Sequence, residues 1–200
     1  MPAEIAKRKA YDTDLTDEQW ALLEPLLPPE VGGGRHRSVD LREVLNAIFY
    51  RLRSGCAWHL LPHDFAPKST VFEYFAQWRN DGTWLAIHDA LAQAARVAAG
   101  REPTPSATIL DSQSVKTSEV PSERGYDAGK KVKGHKRHLL VDTLGLIMAV
   151  VVTAASVQDR DGAKLVLTQM RHTSRLQKIW ADGGYAGQLI TWVRDRFGWD

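Results

Sequence analysis

The segment AAGREPTPSAT, Ala98 to Thr108, separates two kinds of hydrophobic pattern. Gly100, Pro103 and Pro105 cannot continue a helix, so the chain must change direction there. Before the break, apolar residues recur every three or four positions, the period of a helix. After it, short β-branched runs alternate with helical ones. A chain of 200 residues patterned this way reads as an all-α domain over 1–99, a linker over 100–107 and an α/β domain over 108–200.

In the first half, Thr16 to Gln19 fits a capping box ahead of Trp20, Leu22, Leu23 and Leu26, and Pro28-Pro29 ends that helix. After the loop GGGRHRS, Asp40 opens a second helix with Leu41, Val44, Leu45, Ile48, Phe49 and Leu52 on one face, stopped at Gly55. A second capping signature, Thr70 to Glu73, predicts a third helix through Phe72, Phe75 and Trp78. A fourth runs from about Thr83 to Ala99. Four short helices with a compact turn between the second and third suggest a helix-turn-helix-like module. Arg35, Arg37, Arg42, Arg51, Arg53, Lys68 and Arg79 lie on its polar faces. They fit phosphate contacts, or else the solvated surface of a plain bundle. The aromatics fall at core spacing.

In the second half, Thr108 to Val115 reads as a strand, and His138–Asp142 and Leu146–Thr153 as a hairpin turning at Thr143-Leu144-Gly145. A helix from Asp161, a strand over Lys178–Asp182 and a helix over Gly187–Phe197 follow, giving the order β-β-β-α-β-α and a mixed sheet. Two of these strands, ILDSQSVKT and IWADGGYAG, run an apolar segment into an aspartate. A buried, ionised carboxylate without a partner costs several kcal/mol or more. If Asp111 and Asp182 are sheet neighbours, they repel each other unless a cation joins them, and carboxylate and water ligands suit Mg²⁺ or Mn²⁺. Asp182-Gly183 also reads as a hairpin corner, Asp142 as a turn former, and Asp159 and Asp161 as helix caps.

Net charge is +2, with 44% hydrophobic and 25% charged residues, the balance of an ordinary globular chain. No apolar run is long enough to span a bilayer. One cysteine, Cys56, excludes an intramolecular disulfide and a cysteine-based zinc site. The expectation is a cytoplasmic protein with no membrane partner. GKKVKGHKRH, Gly129 to His138, concentrates five Lys or Arg and two His without an acid. Lys130, Lys131, Lys133, Lys136 and Arg137 are therefore candidates for nucleic-acid backbone contacts, and His135 and His138 for phosphate contacts. The same run also fits a solvated loop or an edge strand made basic against aggregation.

LTDEQWALLEPLLPP, RSGCAWHLLPHDFAPKSTVFEYFAQWRNDGTW, ILDSQSVKT, KGHKRHLLVDTLGL and WADGGYAG, in that order, resemble bacterial insertion-sequence transposases of the DDE class, in the IS-four/IS-five-like branch. The resemblance covers nearly the whole chain. It implies an RNase H-like mixed sheet with flanking helices behind a helical DNA-binding domain. It also implies two Mg²⁺ or Mn²⁺ ions held by two Asp and one Glu, and double-stranded DNA (element ends and target) as substrate. A homo-oligomer is implied for the complete enzyme. By position, the first Asp is Asp111 and the second Asp182. The implied chemistry is metal-assisted attack of water on a phosphodiester, followed by attack of the freed 3′-hydroxyl on target DNA.

The family's third acid is a Glu on a helix well downstream of the second Asp. Eighteen residues follow Asp182 here, and Asp195 and Asp200 are their only acids. The expectation is a catalytic domain truncated before its last ligand, with an apolar sheet face left uncovered and feeble activity at most. Two alternatives follow: a DNA-binding fragment that occupies element ends without cutting, and an RNase H-like nuclease.

Overall fold

The computed structural model describes residues 8–30, 37–117, 124–171 and 174–200. They divide into two compact units, Met1–Leu91 and Ala92–Asp200. The division falls inside a helix rather than at the Pro-rich segment. Near the end of that helix, Arg96 donates to the Glu102 carbonyl and pairs with the buried carboxylate of Asp142.

In the first unit, Thr16 and Gln19 form the expected reciprocal cap of α1 (Asp17–Leu23), and Pro25 tightens the chain into a 3₁₀ turn over Glu24–Leu26. Asp40 accepts the Arg42 N–H to open α2 (Leu41–Ser54), and Gly55, at φ 69°, closes it in the left-handed conformation that glycine adopts without strain. The third helix departs from expectation. α3 (Lys68–Asn80) begins two residues before Thr70, directly after Pro67, with no side-chain cap. The proline's fixed φ presets the helical entry, which leaves Thr70 inside the first turn. α4 spans Thr83–Ala98. Leu23, Val44, Leu45, Ile48, Val71, Trp78 and Ile87 are fully buried between these helices, each worth about 1.5–3 kcal/mol of apolar transfer. One polar side chain joins them: Asn46, whose carbonyl accepts the Leu15 N–H at 2.9 Å while its amide donates to Glu43.

The described residues of the second unit form a mixed five-stranded sheet with helices packed on it. β1 (Ala107–Lys116), β4 (Ile147–Ala154) and β5 (Lys178–Ala181) match the expected strands to within a residue; β3 (Val132–Asp142) begins six residues before the expected His138, and a short β2 (Gly125–Asp127) adds one that the sequence did not announce. β3 is the centre. β1 pairs antiparallel along one of its edges, while β2 and then β4 share the other. β5 lies parallel to β1. α5 (Asp159–Thr168) and α6 (Gln188–Phe197) supply Ala163, Val166, Leu167, Leu189 and Val193 to a core closed by Leu110 and Leu140.

β3 overturns the reading of GKKVKGHKRH as a loop or edge strand from Val132 onward, while Gly129–Lys131 lie in the turn before it. In a strand successive side chains point to opposite faces, so the basic run is sorted by parity. Gly134, Lys136, His138, Leu140 and Asp142 are buried, whereas Lys133 and Arg137 are exposed. The other sheet face is open: Ile109, Ile147, Val150, Val152 and Trp180 all stay at least 38% exposed.

Candidate active site

The last register pair between β1 and β5 is Leu110 with Ala181. The next residues along the two strands are Asp111 and Asp182, so the carboxylates leave neighbouring backbones about 4.8 Å apart. Asp111 falls on the exposed phase of β1, between buried Leu110 and Ser112, and Asp182 is exposed as well. Local bonds orient both. Asp111 Oδ1 accepts the Ser112 N–H at 2.7 Å, and Asp182 Oδ1 accepts the Gly184 N–H at 2.8 Å, capping a 3₁₀ turn over Gly183–Tyr185. Asp182-Gly183 is therefore not a hairpin corner, since the parallel strand leads through that turn into α6. Each bond occupies one carboxylate oxygen.

Beneath the pair, on the α5 side of the sheet, lies a polar network that the sequence reading missed. Lys136, 5% exposed, places its ammonium 3.1 Å from Asp127 Oδ2 and 3.0 Å from Asp159 Oδ1. Ser112 Oγ donates to Asp159 at 2.8 Å, and Ser114 Oγ donates to Asp127 at 2.5 Å. Lys130 Nζ donates to the Ser112 carbonyl at 2.7 Å. Burial alone would lower the Lys136 ammonium, but the bonds to Asp159 and Asp127 outweigh it and raise it. Ser114, the Lys130 N–H and Lys136 hold the Asp127 carboxyl well below the usual carboxylate range. Burial raises Asp159, yet Lys136 and Ser112 together pull it below its ordinary value. Lys136 thus spends its charge inside the sheet and offers no phosphate contact. Asp159 was expected to cap α5, but the N-cap is Gln158, and Asp159 turns inward to Ser112 and Lys136.

Two further buried groups adjoin this network. Tyr185, 4% exposed, has a hydroxyl with no hydrogen-bond partner among the described residues. Burial, with the nearby carboxylates of Asp159, Asp111 and Asp182 adding to it, pushes that phenol up to about 12, against the opposing effect of Ser112. His138 is fully buried; its Nε2 lies 3.1 Å from Thr153 Oγ1, and burial lowers its value. This removes His138 as a surface phosphate contact. The signal for these assignments was present in the alternation through residues 132–142, where Lys136 and His138 share a phase with Leu140.

The remaining basic candidates scatter. Arg53, Lys68, Arg79, Lys130, Lys131, Lys133 and Arg137 are exposed. Arg37 donates to the Pro28 carbonyl, Arg51 stacks over Trp58 at 4.3 Å, and Arg42 pairs with Asp17. Arg35 lies outside the described residues. Asp142, expected as a turn former, accepts the Leu144 and Leu146 N–H groups at 2.9 Å each and so holds the β3–β4 turn. Among the described residues no group of three His, Cys, Asp or Glu is placed to hold a metal ion, and no helix is long and apolar enough to cross a membrane.

Comparison with known proteins gives concordant matches for both units. Residues 15–88 match the family described as "Putative transposase of IS4/5 family (DUF4096)", and residues 102–200 match the family described as "Transposase DDE domain". The chain is 32% identical over 125 residues to the "Insertion element IS402 uncharacterized 16.2 kDa protein" of Burkholderia cepacia, an alignment covering 59% of this chain and 78% of that protein. No solved structure matches. With a helical unit ahead of a mixed sheet, and with those similarities across both, the chain belongs to the insertion-sequence DDE transposases.

Proposed function

We propose that this chain acts on DNA phosphodiesters through a divalent cation held by Asp111 and Asp182. The observation that supports the reading is the β1–β5 register, whose last pair, Leu110 with Ala181, is followed in both segments by an exposed carboxylate. Their donor set suits the group. Both ligands are hard oxygens, they repel each other when no cation is present, and local backbone N–H groups fix their orientation. Mg²⁺ or Mn²⁺ bound there supplies charge neutralisation at a phosphoryl oxygen and an activated water. The protein's own part is positional. Ser112 and Asp159 brace the strand behind Asp111, and the Gly183–Tyr185 turn, which lacks side chains at Gly183 and Gly184, leaves the approach to Asp182 open. The finer assignment is cleavage at insertion-sequence ends and strand transfer into a target, with exposed Arg53, Lys68 and Arg79 of the helical unit serving duplex backbone contacts.

A second reading, a chain that occupies element ends without cutting them, is favoured by the lack of a third carboxylate beside the pair among the described residues. Both readings meet in one experiment. The purified chain is incubated with duplex DNA carrying the ends of its own element in Mg²⁺ and in Mn²⁺, and strand breaks are scored beside Asp111→Asn and Asp182→Asn. Slow metal-dependent breaks lost in both variants support the proposal. Breaks that persist in both refute it, and DNA binding with no breaks at all favours the second reading.

A further inference from the structure

We infer that the open face of β1, β3 and β2 is a track for a single DNA strand, running away from Asp111 along β3. The inference rests on the chemistry proposed for Asp111 and Asp182 and specifies the path of the substrate. Residues opposite one another in an antiparallel pair share a face, so the register identifies what borders Asp111. Its partner is Leu139, and the following pairs are Gln113 with Arg137 and Val115 with His135. One step further, Lys133 stands opposite Tyr126 of β2. Arg137, His135 and Lys133 therefore form one row spaced two residues apart, about 6.6 Å per step, and the row extends about 20 Å from the level of Asp111. It ends beside an aromatic ring that is 56% exposed. Among the described strand residues of this face, no carboxylate other than Asp111 occurs.

Three properties of the row select its occupant. Among the described strand residues beyond Asp111, the charges on this face are those of Arg137 and Lys133, which fit a phosphate backbone. Arg137 and Lys133, with the His135 ring between them, lie on one β-strand and form one line, which matches one nucleic-acid strand. At the far end a half-exposed tyrosine offers a surface on which an unpaired base can stack, the combination used for sequence-tolerant single-strand binding. The parity of β3 explains why the basic run is built as it is: Lys136 is turned inward to hold the network under Asp111, and its neighbours Arg137 and His135 are turned outward.

The test measures binding of the full-length chain in EDTA, so that no cleavage chemistry intervenes. Fluorescence anisotropy is recorded with a labelled single-stranded oligonucleotide and with its blunt duplex across a salt series. Arg137→Gln and Lys133→Gln are expected to weaken single-strand binding and to flatten its log–log salt dependence by about 0.7 for each cation removed. Tyr126→Ala is expected to lose about ten-fold in single-strand affinity, and Tyr126→Phe to retain it. Lys164→Gln, on α5 across the sheet, is expected to change nothing. Unchanged affinity and slope in Arg137→Gln and Lys133→Gln overturn the track, as does an equal loss in Lys164→Gln. A loss confined to the duplex overturns the assignment to a single strand. Cleavage that survives Asp111→Asn refutes the chemistry instead and leaves these binding results readable.

Discussion

Replacing Lys136 by Met separates a structural lysine from a DNA-contacting one. The ammonium is 5% exposed and lies within 3.1 Å of two carboxylates. Removing one partner of a buried ion pair costs about 3–5 kcal/mol, because the partner is left charged in a poorly solvated place. Here the lower end applies. Asp127 keeps the Ser114 hydroxyl and the Gly129 and Lys130 N–H groups, and Asp159 keeps Ser112 and is one-third exposed. A loss of about 3 kcal/mol in a unit of this size lowers its melting temperature by roughly 10–20 °C. Thermal unfolding followed by circular dichroism at neutral pH reads this directly. The loss should be larger at pH 7 than at pH 4, since acid begins to protonate the two orphaned carboxylates. A Lys136→Met protein that melts within 2 °C of wild type, on the order of 0.5 kcal/mol, refutes the buried-network reasoning. If it also bound DNA more weakly, Lys136 would be a phosphate contact after all.

Three other outcomes follow from the same packing. A Cβ at Gly162 would lie 2.0–2.3 Å from the His138 ring, so Gly162→Ala should cost about 1–3 kcal/mol, measured as a lower urea midpoint. Asp142→Asn keeps an acceptor for the Leu144 and Leu146 N–H groups but leaves Arg96 buried and unpaired; about 3 kcal/mol should be lost, again read as a urea midpoint. Burial lowers His138 below its ordinary 6.5, so the unfolded chain takes up that proton first. The stability held by the neutral ring is complete above about pH 6.5 and drains away as pH falls through the lowered folded value. Urea midpoints at pH 7.5 and 5.5 should differ in that direction, and His138→Leu should narrow the difference.

Most of the secondary structure was legible because local signals agreed with the tertiary result. Thr16–Gln19, Asp40 and Gly55 each ended or opened a helix where the capping chemistry required. Thr70–Glu73 misled because a proline three residues earlier had already set the entry to α3. β2 has three residues, too few to show an alternation, and exists through its pairing with Val132–Gly134. The two aspartates stood out in sequence as charges ending apolar runs, and the β1–β5 register then placed their strands side by side. The network beneath them did not stand out. Lys136 sits in a run that is basic at nearly every position, and composition cannot distinguish a cation that meets solvent from one that meets Asp127 and Asp159. Only strand parity does so, and parity has meaning only once β3 is known to have neighbours on both edges.

The most direct test of the account is metal binding at the carboxylate pair, independent of any turnover. Mn²⁺ titration of the intact chain, followed by electron paramagnetic resonance of the free ion, should show a weak site. Asp111→Asn and Asp182→Asn should each weaken that site at least ten-fold, while Asp161→Asn, an exposed acid on α5, should leave it unchanged. Mn²⁺ binding that is the same in all four proteins would contradict the central claim that Asp111 and Asp182 share a cation.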